Sequence, residues 1–190
     1  MATGNKRNAI INALIDMMET LSFDEIRAED LIKRSGVSKT TFYRLFRDKY
    51  DVMNSAYLDA SSALVHKDPD MKNVRTWTIE DCNIIAKHPR FYQKILSYQG
   101  QNSFRDTIRK YYHQNIHRHI EMKVGSKALT DQEEYAINVY SEVAAYTMIW
   151  WIQNGCQLSG DQMEDYSEDC IPQCLRRYFD LSGPVTSTPD

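Results

Sequence analysis

The sequence predicts an all-α protein: an N-terminal three-helix unit of helix-turn-helix type, a long connecting helix, and a larger helical body. Three observations carry this. Only 7 Gly and 5 Pro occur in 190 residues. Few segments alternate apolar and polar residues over strand-like lengths, whereas apolar residues recur every three or four positions along much of the chain. Ser, Thr or Asp stands where several of these periodic runs begin, and Gly where several end. Hydrophobic residues make up 42% and charged residues 26%, near the globular average, which excludes disordered and fibrous classes.

The elements follow in order. Ile10, Ala13, Leu14, Met17, Met18 and Leu21 form one stripe of a first helix, broken at Ser22-Phe23-Asp24. A short helix runs from about Ala28 to Arg34 and ends at Ser35-Gly36, where Gly accepts a left-handed turn. Ser38 is placed to cap a third helix, Lys39 to Phe46, with Phe42, Leu45 and Phe46 inward. Asp48 caps a long helix whose stripe includes Val52, Met53, Ala56, Tyr57 and Ala60, and Asp68-Pro69-Asp70 breaks it.

Beyond that break, Val74 to Lys87 reads as a helix, and Pro89 opens the next. Gln99-Gly100-Gln101 is a turn. Ser103 caps a helix to about Lys123, and Thr130 with Glu133 has capping-box spacing at the start of the longest helix, stopped by Gly155. A last helix spans about Gly160 to Phe179, with Pro172 predicting a kink near Glu168. The resulting division is 1–50 for the three-helix unit, 51–68 for the connecting helix, 69–181 for the body and 182–190 for a disordered tail.

No apolar run reaches the roughly 18 residues of a membrane span. Met1 to Ile15 lacks the continuous apolar core of a secretory leader. The four cysteines, Cys82, Cys156, Cys170 and Cys174, show neither a disulfide framework nor zinc spacing, so a reducing cytoplasm is the simplest compartment.

Net charge is −3, but it is uneven: residues 1–50 carry +2 and residues 51–190 carry −5. Within 27–49, Arg27, Lys33, Arg34, Lys39, Arg44, Arg47 and Lys49 face only Glu29, Asp30 and Asp48. A basic surface on an acidic body suits a polyanion, though a solvated helix face has the same composition. Two short helices joined by a Gly-containing turn sharpen the reading. Helical spacing puts Thr40, Tyr43 and Arg44 opposite the apolar side of the third helix, with Lys39 alongside. In a major groove of double-stranded DNA, Arg44 can pair bidentately with guanine and Thr40 can touch a thymine methyl. Tyr43 and Lys49 suit phosphates, as do the backbone N–H groups at Ala28 and Ser38.

The run from Ile26 to Tyr50, with Gly36-Val37-Ser38, Phe42-Tyr43, Phe46 and Lys49 in fixed spacing, resembles the DNA-binding domain of the TetR family of transcriptional regulators; the likeness covers about residues 6–60. Arg27 departs from it, standing where members usually carry Thr or Ser. The resemblance implies a bacterial, cytoplasmic, homodimeric regulator, a repressor by family default, that binds a pseudo-palindromic operator and responds to a small molecule. It implies DNA contacts from Arg27, Ser38, Lys39, Thr40, Thr41, Tyr43, Arg44 and Lys49, and a C-terminal domain for ligand binding and dimerisation. The stretches 95–104 and 150–155 are similar to a C-terminal type of Gram-positive TetR regulators that includes the activator of dihydroxyacetone kinase genes.

From Val143 to Ile152 the longest helix is apolar on nearly every side, which is expected where one face meets the body and another a second copy. The interface expected is Val143, Met148, Trp151 and Ile152 with Met163, Tyr166, Cys170 and Cys174 of the last helix. Aromatic residues concentrate between 77 and 151. Core packing accounts for most of them, and Trp77, Tyr92, Tyr112, Tyr146 and Trp150 are candidates for an effector pocket. His113, His117 and Glu121 share a helix face and read as solvated rather than as a metal edge; neither metal nor cofactor is expected. No nucleophile elbow, phosphate loop or dinucleotide fingerprint occurs, and the residues outline no enzyme site. The alternative reading is a helix-turn-helix adaptor or activator that acts through a protein partner without a small-molecule inducer.

Overall fold

The computed structural model describes residues 3–67, 74–125, 128–179 and 181. Among them are α1 (Thr3–Met17), α2 (Ala28–Ser35), α3 (Lys39–Leu45), α4 (Lys49–Lys67), α5 (Val74–Ala86), α6 (Pro89–Ser97), α7 (Phe104–Val124), α8 (Asp131–Gln153) and α9 (Gly160–Asp169), a 3₁₀ turn at Arg176–Tyr178, and no strand. The Asp68-Pro69-Asp70 break and the tail 182–190 lie outside the described residues.

The helix ends have local chemical causes. Gly36 follows α2 at φ 70°, a left-handed conformation that costs glycine little. Ser38, Ser103 and Thr130 cap α3, α7 and α8 by accepting the N–H three residues on. Asp48 does the same for α4, receiving the Asp51 N–H at 2.8 Å. Ser159 caps α9 with Gln162 in a capping box.

The last helix is shorter than its sequence predicts. It stops at Asp169, and Pro172 ends the helical path instead of kinking it. Proline supplies no N–H to the preceding turn, and its carbonyl accepts from Leu175 at 2.8 Å and Arg176 at 3.2 Å, starting a new turn.

One apolar cluster joins the three-helix unit to the body. Ile10, Leu14 and Met18 of α1, Leu31 of α2 and Phe42 of α3 join Val52, Met53 and Tyr57 of α4. The same cluster continues into Ile85, Phe91, Ile95, Met148 and Trp151 of the body. A second cluster, including Ile120, Ile137 and Leu175, packs α7, α8 and the C-terminal turn. Gly160 lets α9 lie close on α5, since a Cβ there would stand 3.1 Å from the Ile79 Cα.

Candidate nucleic-acid interface and effector cavity

Burial sets the orientation of α3. Phe42 and Phe46 are buried, and Arg7 of α1 lies 4.3 Å from the Phe46 ring centroid while donating to the Leu45 carbonyl at 2.9 Å. A cation at the C-terminus of a helix satisfies an orphan carbonyl and opposes the helix dipole. Arg7 is itself held by Ser55 at 2.7 Å and by the Asp59 carboxylate of α4. Thus α1 and α4 together clamp the back of α3.

The other side of α3 faces solvent. Lys39, Thr40, Tyr43 and Arg44 are exposed, and Thr40 and Arg44 have no hydrogen-bond or ion-pair partner among the described residues. Lys39 Nζ lies 6.0 Å from the Tyr43 ring centroid. Thr41 is half-buried, and its backbone N–H donates to Ser38 Oγ at 3.2 Å, so that amide is not open to a phosphate. Arg27 precedes α2 with its side chain exposed and its backbone N–H donating to Asp30 at 2.9 Å.

Lys49 is placed differently from its expected role. Its ammonium donates to the carbonyls of Phe23 at 2.9 Å, Asp24 at 3.3 Å and Ile26 at 2.8 Å. It also lies 4.6 Å from the Phe23 ring centroid. An ammonium has three donors, and all three are committed within the protein. Lys49 therefore fastens the start of α4 to the loop between α1 and α2, and a phosphate would have to displace those bonds.

In the body, a cavity of about 50 Å³ lies among α5, α7, α8 and α9. Trp77 and Asp81 of α5, Tyr111 and Tyr112 of α7, and Tyr140 and Met148 of α8 line it. Of the five pocket candidates, Trp77 and Tyr112 are brought together here, and the other three lie elsewhere. Tyr92 is buried between the Tyr57 and Phe104 rings, with its hydroxyl reaching the Ala56 carbonyl at 3.4 Å. Tyr146 is 66% and Trp150 42% exposed. On a helix two positions span about 200°, so both point away from Met148, which lines the cavity.

The same geometry revises the expected dimer surface. Met148, Trp151, Ile152 and Met163 are buried within the protomer, so a second copy cannot reach them. Trp151 donates its indole N–H to the Leu158 carbonyl at 2.9 Å, which fixes it inside. Val143 and Cys174 are half-buried, while Tyr166 and Cys170 are exposed. The outward stripe of α8 consists instead of Tyr135, Val139, Glu142, Tyr146 and Trp150, three or four positions apart.

Sequence reasoning also passed over Asp81, a buried carboxyl that accepts hydrogen bonds from Ser61 at 3.1 Å and Tyr112 at 3.2 Å. Burial pushes its pKa up to about 6 against the lowering effect of hydroxyls from Tyr57, Ser61 and Tyr112. The one available signal was a charged residue directly beside the apolar Cys82 on the inner side of its helix. His113 bonds to Asn138 at 2.9 Å and His117 faces Glu121 and Glu134, so both tie α7 to its surroundings. No three His, Cys, Asp or Glu side chains are placed to hold a metal ion among the described residues. No helix there is long and apolar enough to cross a membrane.

Residues 72–172, just over half of the chain, match the TetR-type family model described as a transcriptional regulator C-terminal region. No curated protein sequence matches. Among solved structures, the dihydroxyacetone kinase operon activator DhaS is similar at 15% identity, covering 87% of this chain and 93% of its own, with a TM-score of 0.67. A TetR transcriptional regulator from Streptococcus agalactiae 2603V is 15% identical, with 90% and 96% coverage and a TM-score of 0.61. One from Streptomyces coelicolor is 14% identical, with 89% and 80% coverage and a TM-score of 0.56. At these identities the likeness is one of fold. The family match rests on the body, while the helix-turn-helix at the other end is legible in its own residues. The chain belongs to the TetR family of transcriptional regulators.

Proposed function

We propose that the protein is a homodimeric, ligand-responsive repressor that reads a pseudo-palindromic operator with α3. The carrying observation is the exposed face of Lys39, Thr40, Tyr43 and Arg44 on a helix whose back is clamped by Phe42, Phe46 and Arg7. Arg44 and Thr40 serve the bases, while Lys39, Tyr43 and Arg27 serve phosphates. Ser38 and Thr41 hold the start of the helix.

The outward stripe of α8, with Tyr166 of α9, supports dimerisation, because an array of exposed aromatic rings on one helix is costly to leave in water. Two heads meeting successive major grooves stand roughly 34–36 Å apart. An effector that binds better when α4 is tilted changes that separation, with coupling of about 1–3 kcal/mol.

Selection of sites from a random duplex pool tests the reading. The expected product is two inverted half-sites with centres one helical turn apart, with one position of each relaxed in Arg44→Ala. A pool without enrichment, or single unpaired sites, overturns it.

A second reading, an adaptor or activator working through a protein partner, draws on the cavity's size and on the exposed aromatic stripe. DhaS, similar in fold, is by its name an operon activator. Sedimentation separates the readings: the first requires a dimer of this chain alone, the second a stripe left uncovered until the partner joins.

A further inference from the structure

The body cavity contains an acceptor that DNA reading does not use. Asp81 is 2% exposed, and no Lys or Arg pairs with it among the described residues. The neighbouring charge that bears on it, Glu80, has the same sign. Ser61 and Tyr112 donate to its two oxygens, which is the satisfaction an ionised carboxylate needs but not a countercharge. Aromatic rings of Trp77, Tyr111, Tyr112 and Tyr140 line the same space. A ring that presents its face to this space favours a cation there, because the face carries the negative end of the aromatic quadrupole. The Trp77 Nε1–H is buried with no hydrogen-bond partner. An ammonium offers no acceptor to this N–H, so the indole serves as a reporter on the cavity wall, and the Asp81 carboxylate selects the guest.

We propose that this cavity binds a small organic ammonium ion with an apolar tail, its N–H groups directed at Asp81 and its alkyl part lying against Met148 and the rings. Three features select this class. An anion meets the Asp81 carboxylate with the wrong sign. A neutral alcohol satisfies a hydrogen bond but leaves the charge unpaired. The cavity volume, about 50 Å³, restricts the guest to a few heavy atoms. The proposal rests on the reading of the protein as ligand-responsive and names the chemistry of the effector.

The test is a titration of the full-length ¹⁵N-labelled protein with butylamine, 1-butanol and butyrate, which share a chain and differ in charge. The Trp77 indole N–H resonance, assigned through Trp77→Phe, reports the site. Butylammonium is expected to saturate the shift at a concentration at least tenfold below that of 1-butanol, with butyrate inert. In Asp81→Asn the amine should lose that advantage. If that variant does not fold, the contrast of amine with alcohol in the unsubstituted protein decides alone. Butanol binding as well as or better than butylamine overturns the cationic class and leaves a ligand site standing. Silence from all three probes overturns the ligand-responsive reading together with the proposal.

Discussion

Lys94, on α6 of the body, donates its ammonium to the carbonyl of Met18 just beyond the end of α1 in the DNA-reading unit. The same group reaches Glu19 at 3.3 Å and Leu21 at 3.4 Å. It sits where the carbonyls of a helix end lack intrahelical partners and where the dipole favours a cation. Tyr98, at the end of α6, packs edge-on to Phe23 at 5.6 Å, and Asn54 of α4 donates to the Asn102 carbonyl at 3.0 Å. The body thus grips the reading unit at its loop as well as through α4. Lys94→Ala should lower stability by about 2 kcal/mol, since charged hydrogen bonds of this kind contribute about 1.5–3 kcal/mol. Lys94→Arg should recover part of it. Chemical denaturation of the three proteins measures both, and an unchanged midpoint for the alanine variant refutes the grip.

Lys49 and Arg44 should fail in different ways. Arg44→Ala is expected to cost about 1–3 kcal/mol of operator affinity and to relax base preference at one position of each half-site. Lys49→Ala should weaken binding to every sequence by loosening the loop between α1 and α2. Its slope of log affinity against log salt should stay unchanged, because a lost phosphate contact would reduce the slope by about 0.9. Affinity measured at several salt concentrations separates the two, and a shallower slope for Lys49→Ala assigns it to the phosphates after all.

The two neighbouring tryptophans provide a further contrast. Trp151→Ala opens the core and should cost about 3–5 kcal/mol of stability. Replacing Tyr146 and Trp150 together by Glu should leave the protomer folded and convert a dimer to monomer, since like charges would face each other across a twofold axis. Sedimentation equilibrium reads the second outcome. A dimer that survives both carboxylates is held elsewhere.

Asp81 carries a pH signature. Its pKa rises from 3.8 in the unfolded chain to about 6 when folded, so between those values the folded state binds more protons. Stability from this group is therefore fully present below about pH 4 and is lost as pH rises through about 6. A shift of this size corresponds to about 3 kcal/mol at 1.36 kcal/mol per unit. Glu133 acts oppositely: hydrogen bonds from the Tyr178 hydroxyl and from Thr130 hold its pKa down to about 2, so its contribution is lost as the medium becomes acidic. Melting curves of Asp81→Asn and the unsubstituted protein should diverge between pH 4 and 7, the variant gaining on its parent with rising pH. A constant difference contradicts the burial of an ionisable group at this site.

Several helix ends were legible in the residues because each is set within a few positions. Ser38, Ser103 and Thr130 act through bonds spanning three residues, Gly36 acts through its own left-handed backbone at φ 70°, and the Phe42–Phe46 side of α3 follows from a fixed 100° step. The exposed face of Thr40, Tyr43 and Arg44 came from the same periodicity.

Periodicity could not choose between the sides of α8. That helix is apolar nearly all round, so sequence alone put Trp150 in the cavity and Trp151 at the surface, whereas packing against α6 and α7 puts Trp151 inside and Trp150 out. The partners of Arg7, Lys49, Lys94 and Asp81 were likewise hidden: they lie 20 to 76 positions away, at distances set only when the helices pack. What a helix is, and where it stops, is local chemistry that the chain carries in order. Which side of it meets another, and which charge ends up buried, is decided by the joint packing of all of them.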